Sequence, residues 1–293
     1  MELSSALSPI VPLFASVSSA AVELPVFKGG FLEFFTNSIL VALIVLGIIL
    51  WVSTKATRNM TLVPHRWQNF FEFLVEFLYG QVEKIVGPKM APKAFPLLGT
   101  LFVFILVANL FGLLPGVGTI GWGEATGPLS VKEVHDPLLR PPTADLNLTM
   151  GLAISAFLVW LYLTIREVGV WGFIVHTFGP KGGLKGFMGL VVGAVFLFVG
   201  VIELVSIAIR PLTLSVRLYG NVFAGESVLH AMSTMLDNAG PVASFIGSVL
   251  LPIPFYFMEL LVGLLQAMVF TLLCAVYIQL STTHDDHAEG DHH

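Results

Sequence analysis

The sequence has few charged residues and only one cysteine. Of its 293 residues, 11% are charged and 56% are hydrophobic, whereas a soluble domain usually carries about a quarter charged residues. The chain is therefore predicted to be an integral membrane protein. The single cysteine, Cys274, excludes a disulfide framework and a cysteine metal site. With a net charge of −5 there is no basic surface for nucleic acid, and neither a metal nor another cofactor is predicted.

Five apolar runs are long enough to cross a bilayer, which takes roughly 20 residues. They cover residues 36–53, 95–114, 146–165, about 189–230 and 245–280. Between the first two, residues 65–86 carry a polar stripe at helical spacing, which is typical of an amphipathic helix lying at a membrane interface. The stripe consists of Gln68, Asn69, Glu72, Glu76 and Glu83. The predicted fold is an all-α integral membrane protein with five transmembrane helices and one interfacial amphipathic helix.

Three segments are predicted along the chain: an external N-terminal segment (1–30), a membrane domain (31–281) and a cytoplasmic tail rich in His and Asp (282–293). The first segment ends in small residues that resemble a cleavage site but lacks a positive start. Two interpretations of this segment are left open: a signal peptide that is removed, and an ordinary exported segment. The tail HDDHAEGDHH is interpreted as a solvated tail, with metal binding as the alternative.

The placement of Lys and Arg predicts the orientation in the membrane. The connection 54–94 contains six such residues and 166–188 contains three, whereas 116–142 contains two and 231–244 none. The first two connections are therefore expected in the cytoplasm, with the N-terminus outside and the C-terminus inside. Residues 116–142 are rich in Gly and Pro and are expected to form an external loop.

The fourth apolar run is too long for a simple crossing. Its 42 or so residues would form about 63 Å of helix, about twice the thickness of a bilayer core. A hairpin would need a turn at Pro211, but no Gly, Asn or Asp lies beside that proline. We expect one tilted helix, weakened or kinked at Pro211 because proline cannot donate to the carbonyl of Ile207.

Several charges interrupt this run. Glu203, Arg210 and Arg217 are spaced by seven and share one helical face, whereas Glu226 lies near the opposite side. An arginine at a helix centre costs at least about 2.5 kcal/mol, so such charges usually mark an ion path or a functional partner. Arg210 is interpreted as a headgroup anchor. Arg217 is the functional candidate, with a structural ion pair to a neighbouring helix as the alternative.

The fifth run supplies the neighbours of these charges. If it crosses in the opposite direction, Glu259 lies at a depth similar to that of Glu226, and Gln266 lies near the level of Arg217. Acidic groups on both sides of one deep arginine, with Glu203 on the inner side, predict two half-paths for protons. A carboxyl kept neutral by burial is the alternative for Glu259.

These residues resemble subunit a of the rotary F-type ATP synthase. The resemblance covers roughly residues 30–285, and its most specific part is the SxRLxGNxxAGE pattern at 215–226. It is carried by RPLTLSVRLYGNVFAGE (210–226), ELLVGLLQAMVFTLL (259–273), ANLFGLLPG (108–116) and PPTADLNLT (141–149). The resemblance implies a membrane stator whose two long tilted helices face the c-ring, and which has no ATP chemistry of its own.

The resemblance also implies roles for individual residues. Arg217 matches the family's essential arginine, which faces the carboxylate of the c-ring. Glu226 and Glu259 match the polar pair of the outer half-channel. The other matches are Asn221 and Gln266 near the arginine, Glu203 on the inner exit side and Asp145 near the outer entrance. The implied partners are the c-ring, the peripheral-stalk b subunits, other Fo subunits and lipid.

The location implied is a bacterial inner membrane, with an organelle's energy-transducing membrane as the alternative, and the coupling ion, H⁺ or Na⁺, is left open. Two other functions compete. A secondary transporter or channel without a rotor predicts inverted repeats or broken helices, and neither is visible in the sequence. A non-catalytic scaffold would leave Arg217 unexplained.

Overall fold

The chain is built from long helices. The computed structural model describes residues 36–58, 60, 66–114, 117, 121–127, 130–137, 139–178, 187–235 and 250–282. The long helices in these ranges are α1 (Asn37–Thr57), α2 (Arg66–Val86), α3 (Ala91–Gly112), α4 (Leu146–Phe178), α5 (Phe187–Thr234) and α6 (Pro252–Thr282). All except α2 are long and apolar enough to cross a membrane. The predicted helical membrane fold with five spans is confirmed.

Helix α2 is the amphipathic helix expected between the first two spans. Leu78 and Val82 are buried on one side, whereas Phe70 and Phe73 are well exposed on the other. Gln68, on the predicted polar stripe, is buried and donates a hydrogen bond to Glu72. An exposed aromatic side on a helix this polar fits a position at a membrane interface, and that position stays a prediction.

Helix α5 runs for 48 residues without interruption. It passes through Pro211, so the expectation of one helix rather than a hairpin is confirmed. Only 11% of its most apolar window is buried within the chain. Most of this helix therefore faces lipid or another subunit, and its tilt stays a prediction.

Two stretches differ from the sequence expectation. Residues Gly121–Gly127 (β1) and Ser130–Pro137 (β2) form an antiparallel pair inside the segment predicted to be an external loop, where no strand was predicted. Three glycines in β1 conceal the alternating pattern of a strand. Helix α4 continues to Phe178, well beyond the predicted end at 165, and its backbone departs from helical geometry at Gly169 (φ 77°, ψ 158°). Glycine tolerates that positive φ.

The chain forms two compact units. The first comprises Met1–Met60, Val103–Thr149 and Arg217–Met268, and the second comprises Thr61–Phe102, Met150–Val216 and Val269–His293. In the first unit, Val41 and Val45 of α1 pack with Ala108 of α3, and Phe104 and Phe111 cover this core. A 3₁₀ turn at Pro142–Ala144 packs against α1 and leads into α4.

The second unit is held together by a polar contact between α4 and α6. The indole Nε1 of Trp160 donates to the Tyr277 carbonyl and to Ser281 Oγ, both at 2.9 Å. At the exposed side of the same unit, Lys93 of α3 pairs with Glu167 of α4. The predicted segment 1–30, and all but the first residue of the predicted tail 282–293, lie outside the described residues, and the proposed division into three segments stays a prediction.

Candidate functional site

Two carboxyl groups of the first unit share one cavity. Glu226 of α5 and Glu259 of α6 both line it, and its volume of about 30 Å³ is enough for a water molecule. The carboxyl group of Glu259 lies against Gly225, so close that a Cβ atom there would overlap it. The glycine beside Glu226 therefore provides the room for Glu259.

Amide side chains complete the cavity. Asn221 Nδ2, one turn before Gly225 on α5, donates to Gln266 Oε1 at 2.7 Å. Asn109 of α3 donates from Nδ2 to the Gly263 carbonyl at 3.1 Å, and a Cβ at Gly263 would come within 3.2 Å of it. Within the part of the chain that is described, Asn109 Oδ1 is buried without a hydrogen-bond partner. It is a free acceptor at the wall of this cavity.

Arg217 lies one helical turn before Asn221 on α5, and its side chain is exposed. No ion pair involves it among the described residues. On α6 of the same unit, Phe257 and Leu261 are more than half exposed. Arg217 is thus an exposed charge in a unit that also exposes large apolar side chains, and it is available to a group outside the chain.

The remaining predicted residues are not part of this cavity. Asp145 is buried and caps α4: its Oδ1 accepts from the Asn147 N–H at 2.9 Å, as expected of an Asp before a first helical turn. Glu203, half-buried on α5, belongs to the second unit. Within the described ranges, no three His, Cys, Asp or Glu side chains are grouped so that they could hold a metal ion.

Arg210 lies in an aromatic setting within the second unit. Its guanidinium carbon is 4.7 Å from the ring centre of Tyr277 and 5.9 Å from that of Trp160. Such cation–π contacts are worth about 0.5–2 kcal/mol. The headgroup role remains a prediction, and the structure adds a contact that ties this part of α5 to α4 and α6.

Two residues of the first unit were assigned no functional role from the sequence. Asn109 lies in the quoted ANLFGLLPG segment, and an amide in an apolar run of this length is the feature that could have revealed it. Arg140 was counted only as a charge of the external loop. The structure buries it to 4% exposure, and the two prolines that follow it gave no indication of this.

Carboxyl and amide groups gather between long apolar helices, and α5 carries both one of the carboxyl groups and an exposed arginine. These features define a membrane protein of the ion-translocating class. Comparison with known proteins identifies the family within this class. The family model described as ATP synthase A chain matches residues 35–279. The chain belongs to this family, and it is a proton-translocating stator subunit of the membrane part of an ATP synthase.

Curated bacterial relatives agree with the family match. The chain is 34% identical over 259 residues to ATP synthase subunit a of Protochlamydia amoebophila (strain UWE25), covering 87% of this chain and 82% of the relative. It is 35% identical over 249 residues to ATP synthase subunit a 2 of Syntrophotalea carbinolica, with 85% of each covered. The relative from Moorella thermoacetica is 32% identical over 240 residues. The chain is thus a multi-pass membrane protein whose partners are other subunits of that membrane assembly.

Proposed function

We propose that this chain passes protons to and from the carboxylates of a rotor ring through two half-channels kept apart by Arg217. The observation that carries the proposal is the cavity shared by Glu226 and Glu259. Glu226 lies on the same helix as the exposed Arg217, nine residues further along the chain. Acidic residues inside a membrane that lie close together usually mark an ion path or a proton relay.

The mechanism follows from the charges. A rotor carboxylate opposite Arg217 stays ionised, because a guanidinium does not lose its proton at any relevant pH. It must leave the arginine and take up a proton before it can enter lipid, where an ion is costly. The proton arrives by way of Glu259 and Glu226, and the Asn221–Gln266 pair lines the way towards Arg217.

After nearly a full turn of the ring, the proton leaves on the Glu203 side. Each charge that crosses gains about 2.3 kcal/mol per 100 mV of membrane potential. Direct leakage between the two half-channels would bring a proton past the fixed charge of Arg217, which repels it. Asp145 is assigned to the outer entrance, where its helix cap fixes its position.

The partner is tested by purification. A tag on the C-terminus of this chain, in membranes solubilised with a mild detergent, is expected to bring down a ring of small two-helix subunits with the b subunits of the peripheral stalk. A strain without the ring subunit is the control. Recovery of the chain with no two-helix subunit, from membranes that contain the ring, would contradict the proposal.

Gly225 offers a test of the carboxyl pair that leaves both acids in place. In Gly225→Ala the new methyl group takes the position of the Glu259 carboxyl, which is the flexible end of a side chain and can swing away. We expect little change in Tm but proton uptake slowed about tenfold, because the transferring groups are displaced. Uptake is measured with a pH dye in vesicles that contain the complex.

Gly220→Ala is the matched control, because nothing lies within 4 Å of a Cβ at that position of the same helix. It is expected to keep the native uptake rate. Equal rates for the two variants would show that the position of the Glu259 carboxyl does not matter.

A further inference from the structure

Arg210 is a half-buried cation whose charge is not balanced within the described residues. Its guanidinium lies over the rings of Tyr277 and Trp160, but in the described part of the chain it makes no hydrogen bond and no ion pair. A ring face attracts a cation without taking up its N–H groups, and a guanidinium has five of these donors. Charged side chains in membrane helices usually pair with another side chain or with a carbonyl. The acceptor for Arg210 is therefore expected outside the chain.

The neighbouring helices place Arg210 near the level of lipid headgroups. Trp160, whose ring lies beside it, is six residues before the exposed Arg166 on α4, or about 9 Å along the helix axis. On α6, Tyr277 is five residues from the end of the helix at Thr282. Trp and Tyr are enriched where a membrane meets water. The acceptor available at this level is the phosphate of a lipid, and the predicted orientation makes it a lipid of the cytoplasmic leaflet.

An apolar cavity beside the arginine favours a lipid over a free anion. Its volume of about 20 Å³ takes one small group rather than a whole chain. Arg210 is the only charged residue that lines it, and the larger of the other lining residues are Leu97, Phe157, Trp160, Leu214, Tyr277 and Ile278. Such walls favour a hydrocarbon group over water. On α5, Ile209 and Leu212 are about half exposed and extend the apolar surface next to the arginine. A phospholipid brings a phosphate and hydrocarbon in one molecule, whereas inorganic phosphate brings only the first.

We infer that Arg210 binds the phosphate of one anionic phospholipid, whose hydrocarbon next to the glycerol packs against this cavity. A planar guanidinium can hold a phosphate through two parallel hydrogen bonds. A zwitterionic lipid brings its own cation, so only an anionic lipid balances the charge of Arg210. This site differs from a headgroup anchor, because an anchor accepts any headgroup whereas a site is saturable and selective. It belongs to the second unit, and Glu226 and Glu259 belong to the first, so the inference does not depend on the proposed proton path.

The first test uses the native complex in nanodiscs of phosphatidylcholine. A phosphatidylglycerol with a photoreactive diazirine near the glycerol is added, and the labelled peptides are mapped by mass spectrometry. We expect saturable labelling of peptides that contain Leu97, Leu214 or Cys274. Excess unlabelled phosphatidylglycerol should reduce it about tenfold, whereas equal amounts of phosphatidylcholine or inorganic phosphate should not, since hydrogen bonds to a charged group are the stronger ones. Equal protection by phosphatidylcholine, or protection by inorganic phosphate, would overturn the inference. Absence of label from these peptides would also overturn it, and would favour an acidic group of another subunit as the partner of Arg210.

The second test measures the same labelling in variants of the arginine. Arg210→Gln removes the charge, and we expect the affinity for the labelled lipid to fall about tenfold or more. Arg210→Lys keeps the charge but loses the planar fork, and we expect a fall of about threefold. Arg58→Gln is the matched control, because this arginine at the end of α1 is exposed and does not line the cavity, and it should label as the native complex does.

Native affinity in Arg210→Gln would refute the site. Native affinity in Arg210→Lys would refute it as well, because a headgroup anchor needs only the charge. If Arg210→Gln does not assemble, Arg210→Lys and the competition in the native complex still decide the question.

Discussion

Replacing Arg217 by alanine is expected to abolish proton-driven ATP synthesis while the complex still assembles. Without the guanidinium, no positive charge on this chain stabilises the ionised rotor carboxylate. The carboxyl group therefore keeps its proton at the boundary between the half-channels. We expect at least about a hundredfold loss, since a charge at the centre of a membrane helix costs about 2.5–3.5 kcal/mol and the rotor carboxylate would lose the cation that offsets this cost. Synthesis is measured in inverted vesicles energised by respiration.

Arg166→Ala is the control, because this arginine on α4 is also exposed but lies outside the proposed path. It should keep the native rate. We expect both variants to assemble equally well, because Arg217 is exposed and its removal leaves no cavity. The amount of this chain in the purified complex checks this. Normal synthesis in Arg217→Ala would overturn the assignment of the arginine.

Most of the fold could be predicted from hydropathy alone, because a helix in lipid must satisfy its own backbone and needs a fixed length. The starts of α1 and α4 were predicted to within a residue: Thr36 caps α1, and its Oγ1 accepts from the Ile39 N–H at 3.4 Å. The prediction was wrong or incomplete where the length and apolarity of a segment do not determine its structure. Helix α4 continues past Arg166, and the β1–β2 pair forms from a glycine-rich segment.

The site could be predicted only in part. Helical periodicity places Glu226 away from the face of Arg217, and the depth argument placed Glu259 near Glu226, where the structure has it. The periodicity of a single helix does not predict contacts between segments that are distant in sequence. Asn109 reaches a carbonyl 154 residues further along the chain, and the burial of Arg140 depends on how the turn after it folds. Gln266, expected near the level of Arg217, accepts a hydrogen bond through Oε1 from Nδ2 of Asn221, one helical turn from Arg217.

The carboxyl pair carries the second large effect. Glu226→Gln and Glu259→Gln are each expected to slow proton uptake roughly a hundredfold or more, because a positioned acid or base typically contributes about 10²- to 10⁴-fold. Glutamine has nearly the shape of glutamate and keeps hydrogen-bonding atoms at the cavity, but it cannot release a proton. Uptake is followed in reconstituted vesicles under an imposed potential, with the same vesicles assayed after the ring is blocked to subtract leakage.

The control for this prediction is Glu167→Gln, which removes an exposed acid whose partner, Lys93, lies outside the cavity. It is expected to leave uptake unchanged. Glu226 should show the larger loss, because it lies on the helix of Arg217 and passes the proton to the rotor, whereas Glu259 passes it to Glu226. If both Gln variants kept the native rate, the outer path could not run through this cavity. A loss only in Glu259→Gln would instead place the last transfer on α6, and would reverse the order of the two acids.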